Sequence, residues 1–453
     1  MNIPIVKLPG FSGNVLKKAA EVLQLCSKAP LPAHNFPYPY IAPGGAYGTM
    51  WWQLDFSIAL TGMRYFDYPF CHQGLLNFCA AQKEDGRISL WGNDRLPDFK
   101  GERLQRENVS SLPKLFDAAW KIARWTDDPL YLQKIRNLLS DYLDWFERVR
   151  FDRSTGLYSA VFEETFMPYY GFSGEYAPVD LNIELLHGLY CLKDLETNCN
   201  DPADDLQNKA EKLKMAIRQG LWDPEKEMFY PRLLKCNGFY PIGMASAFAA
   251  LRYGVANKAQ KTRLLALMLD TAHYNWNGNA LTSVDRTDPA FAAITTQYYF
   301  GNPCWSGNVW TLINENAARG LCDCGEKTLA AELAVKTIRQ FRKTYCEFMN
   351  PLTGDPGGVI DYAWSAGNCV DMLFTILFGF DFDAWKKEIR IAPAFPENWH
   401  SRTMSVKNLR LPGDIVLGID VKCGENAAIE VSFQKADDPV RILRGEKELT
   451  ISF

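Results

Sequence analysis

Four loops of this 453-residue sequence gather aromatic and acidic side chains in the combination that carbohydrate chemistry needs. Trp51, Trp52 and Asp55 stand in one, Trp91 and Asp94 in a second, Trp305 and Trp310 in a third, and Glu347, Asp361 and Trp364 in a fourth. An indole face stacks on the apolar side of a pyranose, and a carboxylate accepts hydrogen bonds from its hydroxyls. A single Trp at a helix end is as often a core residue. Recurrence in four separate loops favours a sugar-binding cleft.

The elements that must position these loops are mainly helical from about Gly10 to Trp385. Apolar residues return at three- and four-residue steps in stretches such as PKLFDAAWKIARWT, YLQKIRNLLSDYLDWFERV, DLNIELLHGLYCLKDL and KTLAAELAVKTIRQFRKTY, the period of an amphipathic helix. About a dozen helices are predicted, spaced by roughly 30 residues, the scale at which helix pairs repeat in solenoids or closed rings. The connections between them are long and rich in Trp, Tyr, Gly and acids, and loops of that kind usually carry function. After Trp385 the pattern changes to apolar–polar alternation around Pro and Gly, as in TMSVKNLRLPGDIVLGIDVKC, the period of half-buried strands. The expected organisation is a helical domain over 1–385 and a β-sandwich-like domain over 386–453.

The loops also carry a family resemblance. PGGAYGTMWWQLDFSIAL, NFCAAQKEDGRI, SLPKLFDAAWKIARWTDDPLYL, APVDLNIELL, PCWSGNVWTLINENAARGL and CEFMNPLTGDPGGVIDYAWSAG resemble, in that order, signatures of the (α/α)6-barrel glycoside hydrolases of the trehalase and processing α-glucosidase group, which includes mannosylglycerate hydrolases. The resemblance implies a mainly α fold, an (α/α)6 barrel of six hairpins followed by a small C-terminal β domain. It also implies an inverting hydrolase without cofactor or metal, in which one carboxylic acid protonates the leaving oxygen and one carboxylate activates water, the two ~6.5–9.5 Å apart. By this resemblance Glu347 is the base, and Trp52, Gln53, Asp55, Trp91, Asn108, Trp305, Trp310 and Trp364 are the substrate-binding residues.

The acid departs from the pattern. When Phe162 and Glu163 are aligned with the family's aromatic–Glu pair, the acid position falls on Met167, which has no proton to give. Glu163 and Glu164 are the favoured replacements, with Glu175 next, while Asp180 is expected to support the start of a helix. Ser306 stands where relatives usually have Arg, and Leu112 where they have Gln, so the subsite that grips the sugar is expected to differ from theirs.

Composition narrows the remaining classes. Lys and Arg number 49 against 53 Asp and Glu, with both signs scattered, so a nucleic-acid partner is not expected. The most apolar stretch, Met372 to Phe380, is far shorter than the ~20 residues that span a bilayer. Twelve irregularly spaced cysteines read as reduced thiols in a cytoplasmic protein, or in a periplasmic one whose leader has been removed. Neither the close pair Cys322 and Cys324 nor the five histidines have metal-ligand spacing. The rival readings are a sugar epimerase or isomerase working through His187 and His273, and a degenerate barrel that binds a glycan without cleaving it.

Overall fold

The computed structural model describes residues 1–92, 109–167, 173–236, 238–276, 279–293 and 305–453. Its α-helices are α1 (Lys17–Cys26), α2 (Gln53–Met63), α3 (Tyr68–Ala81), α4 (Leu115–Ala123), α5 (Pro129–Val149), α6 (Val179–Asn198), α7 (Asp204–Gly220), α8 (Lys258–Leu269), α9 (Thr311–Asp323), α10 (Lys327–Phe341) and α11 (Ala363–Met372), with a 3-10 helix over Ala245–Gly254.

These helices divide into two sets by what their sequences can bury. In α2 all eleven residues are buried, and in α11 all ten; helices covered on every face belong inside a fold. In α5 the buried residues form one stripe, Tyr131, Ile135, Leu138, Leu139, Tyr142 and Phe146 among them, as expected of a helix with one face in water. The inner helices touch one another in a closed order: α2 to α4, α4 to α6, α6 to the 3-10 helix, that helix to α9, α9 to α11, and α11 back to α2. The outer helices lie against this ring, α1 on α11, α3 on α4, α5 and α7 on α6, α8 on the 3-10 helix and α10 on α9.

Small residues close the ring. A Cβ on Gly62 would fall 2.4 Å from the carbonyl oxygen of Gly367, and one on Gly367 would fall 2.8 Å from the Cα of Ala59, so α2 and α11 meet backbone to backbone. Ion pairs fill the interior. Lys114 Nζ meets Glu184 at 2.8 Å and Glu315 at 3.4 Å and donates to Asn316 at 2.6 Å, while Lys121 bridges Asp117 and Asp371.

Every strand pairing among the described residues is antiparallel. The C-terminal strands Thr403–Leu411, Ile415–Lys422, Ala428–Lys435 and Arg441–Glu446 form a meander, and Ile5–Lys7 adds to its edge by pairing with Thr403–Leu411. A second sheet joins Phe380–Asp383, Glu388–Ile391 and Leu449–Ser452. The boundary expected at Trp385 therefore falls inside a hairpin, and the β unit starts earlier and includes the N-terminus. Phe380 and Phe382 already alternate toward the core, but the apolar run before them conceals the change of period.

Candidate active site

The six inner helices begin at one end of the ring, and in none does the N-cap residue supply a side-chain cap, whereas the outer helices α3, α5 and α8 are capped by Asp67, Asp128 and Asn257. Uncapped helix N-termini present N–H groups and positive dipole ends. Short extended segments lead into them: Trp51–Trp52 pairs with Trp91–Gly92, Phe348–Met349 with Pro356–Gly357, and isolated bridges join Met244 to Val284 and Val309 to both Thr282 and Met349. These pairings bring the aromatic loops to one mouth.

The rings there form a continuous arc. Trp91 lies 4.7 Å from Trp52, Trp52 5.9 Å from Tyr47, Tyr47 6.0 Å from Tyr362, Tyr362 4.9 Å from Trp364, Trp364 6.3 Å from Trp305, and Trp305 4.9 Å from Phe166, centroid to centroid. Trp310 stands behind, 3.9 Å from Trp305 and 4.8 Å from Phe348. It is buried and acts as a support for the arc.

Three carboxyl groups share the field inside this arc. Glu347 is held at its backbone, donating from N to Val359 O at 2.8 Å and accepting from Trp364 Nε1 at 3.3 Å, and Val359 N donates to its Oε2 at 3.2 Å. Asp55, in the first turn of α2, is buried; its carboxyl is raised well above the usual range by desolvation, against a hydrogen bond with Tyr362, and is raised further by Glu347 and Glu163. Its Oδ1 has no hydrogen-bond partner among the described residues. Glu163 is pushed up from 4.5 to about 8, first by burial and then by the charge of Glu347.

Glu163 owes its position to the anchors on either side of it. Glu164 is buried and accepts from Arg150 Nε at 2.6 Å, Arg150 Nη2 at 2.8 Å, Ser110 N at 2.9 Å and Val161 N at 3.1 Å. Asp180, at the start of α6, accepts from Thr165 Oγ1 at 2.8 Å and Phe166 N at 2.6 Å, as well as from Leu181 N. Burial raises the Asp180 carboxyl to about 6 despite those donors. The Glu163 carbonyl accepts from Leu112 N at 3.0 Å. Two fixed carboxylates thus clamp a short turn whose intervening carboxyl feels Glu347. Met167 is buried in a separate apolar cluster with Ile242, Met244 and Val284, so the position aligned with the family's acid is filled by hydrocarbon.

Several residues expected at the site take other roles. Gln53 is fully buried, donating to Tyr142 Oη at 2.7 Å and accepting from Ser110 Oγ at 3.1 Å and Ser111 N at 3.2 Å; its amide ties α2 to the loop before α4 and is spent within the protein, which corrects its assignment to substrate. Trp51 stacks on Phe36 at 4.3 Å in the core. Asp361 pairs with Lys18 at 2.6 Å and Glu175 pairs with Lys235. Leu112 and Ser306 are fully buried. Asn108 and Asp94 lie outside the described residues. His187 is buried, with Nε2 3.0 Å from Asp117 and Nδ1 2.5 Å from the Tyr253 hydroxyl, and His273 Nδ1 lies 2.7 Å from Asp285. Sequence reasoning missed Tyr47 and Tyr362, which face the carboxylates, and Arg150, which fixes Glu164; the aromatic content of GGAYG and IDYAW was the available signal.

Known proteins resemble this arrangement. The family described as the mannosylglycerate hydrolase MGH1-like glycoside hydrolase domain matches residues 164–365, so the resemblance carried by the loop signatures holds through the middle of the chain. An uncharacterized protein of Borreliella burgdorferi is 24% identical over 275 residues, 60% of this chain and 55% of its own. The mannosylglycerate hydrolase of Thermus thermophilus is 28% identical over 152 residues, 33% of this chain and 34% of its own. The matches thus span about a third to about half the length of these relatives. The crystal structure of a GH63 mannosylglycerate hydrolase from Thermus thermophilus in complex with glucose superposes with a TM-score of 0.65 at 19% identity, covering 79% of this chain and 99% of that one. That likeness is one of fold.

Proposed function

We propose that this chain is an inverting glycoside hydrolase acting on a small α-linked saccharide or glycoside. Glu347 is the base and Glu163 the acid. The observation that carries this reading is the Glu163 carboxyl, raised to about 8 by burial and by Glu347, inside the arc of Trp, Tyr and Phe rings. An acid held protonated near neutrality beside an oriented carboxylate is the division of labour that inversion requires.

In this mechanism a sugar stacks on the arc, with Trp52, Trp91, Trp305 and Trp364 offering their faces and Asp55 its free oxygen to the hydroxyls. Glu347 removes a proton from water as the water oxygen bonds to the anomeric carbon. Glu163 gives its proton to the glycosidic oxygen as the bond to the anomeric carbon breaks. No metal or cofactor takes part. The closed order of the inner helices supports an (α/α)6 barrel, with the C-terminal sheets as an accessory β-sandwich-like unit. The Thermus relative's complex with glucose supports a sugar of that size here. The sparse, irregular spacing of the cysteines favours the cytoplasm as its compartment.

The test is to incubate the purified protein with α-linked disaccharides and glycosides and follow the anomeric signals by NMR. Free sugar appearing first as the inverted anomer is the expected result. A new epimer would instead revive the histidine-based isomerase, and line broadening without product would make the chain a glycan-binding protein.

A further inference from the structure

The apolar lining of the mouth continues beyond Phe166. Ser283 Oγ donates to Trp305 O at 2.5 Å and Ala292 N donates to Ser306 O at 2.8 Å, which ties the segment carrying Trp305 to residues 283–292. A Cβ on Gly307 would fall 2.8 Å from the ring of Phe291, so that ring lies against bare backbone beside the arc. Met167 follows Phe166 directly and packs with Ile242 and Met244, and the half-buried rings of Tyr176, Tyr240 and Phe291 lie against this cluster. Met244 precedes the inner 3-10 helix, which starts at the mouth. An apolar wall thus stands on the side of Glu163, near the starts of α6 and the 3-10 helix, whereas Glu347 precedes α11.

We infer that this wall is the leaving-group subsite and that it selects an uncharged, apolar aglycone, aryl or alkyl, over an anionic one. The inference rests on the proposed hydrolysis: the group that Glu163 protonates must leave past the turn that carries Glu163, and Met167 lies at the end of that turn. An apolar aglycone seated here removes hydrocarbon from water on both partners. A carboxylate in the same place would lose its hydration against hydrocarbon and would add a negative charge beside Glu163, whose proton Glu347 already helps to hold. The described cations within residues 160–180, 228–246 and 280–293 are Arg232, Lys235 and Arg286, and each is engaged elsewhere. Arg232 Nη1 donates to Gly220 O at 2.8 Å, Lys235 pairs with Glu175, and Arg286 Nη1 donates to Thr271 O at 3.4 Å. Tyr176 meets Tyr240 edge to face at 5.2 Å, which fixes two aromatic faces in the wall.

The test compares α-glucosides and α-mannosides of methanol, benzyl alcohol and D-glycerate, three unactivated leaving groups that differ in apolar surface and charge. The benzyl glycoside is expected to exceed the other two in kcat/KM by about tenfold or more. Tyr240→Ala should lower the ratio of benzyl to methyl, and Phe291→Lys, which adds a cation, should shift preference toward the glycerate. Each comparison is a ratio within one protein, so a misfolded fraction cancels. Equal kcat/KM for the three aglycones, preference for the glycerate in the parent, or ratios unmoved in both variants overturns the inference and leaves hydrolysis standing. Failure to cleave any of these glycosides or the corresponding glycosyl fluorides overturns the hydrolase reading instead. Isothermal titration with the same glycosides then decides the wall, and benzyl binding no tighter than methyl rejects it.

Discussion

The carboxylate of Glu164 takes two charge-assisted hydrogen bonds from Arg150, at 2.6 and 2.8 Å, while the carboxyl of the adjacent Glu163 is pushed up to about 8 by burial and by the charge of Glu347. One peptide bond separates a structural anchor from the proposed acid. The anchor helps place the acid, because Glu164 holds the backbone at Val161 and Asp180 holds it at Phe166, on the two sides of Glu163.

The Glu163 assignment predicts a pH signature. The acid must be protonated, so kcat/KM for a natural glycoside should fall as pH rises through about 8. A glycosyl fluoride leaves without protonation, so Glu163→Gln should lose most turnover of the natural glycoside and retain that of the fluoride. Equal loss on both substrates would exclude the role. The same shift acts on stability: the native state holds this proton between 4.5 and about 8 while the unfolded state does not, so the contribution of Glu163 to stability declines as pH rises through that window. Glu163→Gln should flatten that part of the profile of Tm against pH.

Glu347→Gln keeps shape and hydrogen-bonding size but removes the proposed base. Turnover should fall by about 10²–10⁴ while sugar binding, read by titration, survives. Undiminished turnover would move the base elsewhere.

Glu164→Gln should behave differently from its neighbour. It removes the charge that the buried Arg150 faces, at a cost of about 3–5 kcal/mol, so denaturant unfolding should reveal a large stability loss. A variant as stable as the parent but inactive would reverse the roles of the two glutamates.

Lys114 lies deep in the ring between Glu184 and Glu315. Lys114→Met should destabilise the protein by about 3–5 kcal/mol, because two buried carboxylates lose their shared cation. A loss below about 1 kcal/mol, within the range of exposed pairs, would mean that water reaches this network.

Where α2 crosses α11, Gly367→Val places a branched side chain against the backbone of Ala59, which a Cβ alone would approach to 2.8 Å. The expected penalty is about 1–3 kcal/mol or more, measured as a lower midpoint of urea unfolding. A midpoint equal to the parent's would show that the two helices can separate without cost.

The sequence by itself determined what short-range periodicity can specify. The three- and four-residue steps mark the helices, the alternation after Trp385 marks the C-terminal strands, and the recurring Trp and acidic residues mark the loops that meet at the mouth. Tertiary structure decided the rest. Glu163 and Glu164 are chemically identical in the sequence, and only the positions of Arg150 and Glu347, contributed by other elements, set them apart electrostatically. Gln53 resembles a sugar ligand until Tyr142 and Ser110 are folded against it. Ile5–Lys7 joins a sheet built from the opposite end of the chain, and Gly62 meets Gly367 across the closure of the ring. Such pairings depend on distance in space, which no local pattern encodes; a pKa depends on every charge and solvent boundary within reach, which exists only after the chain has folded.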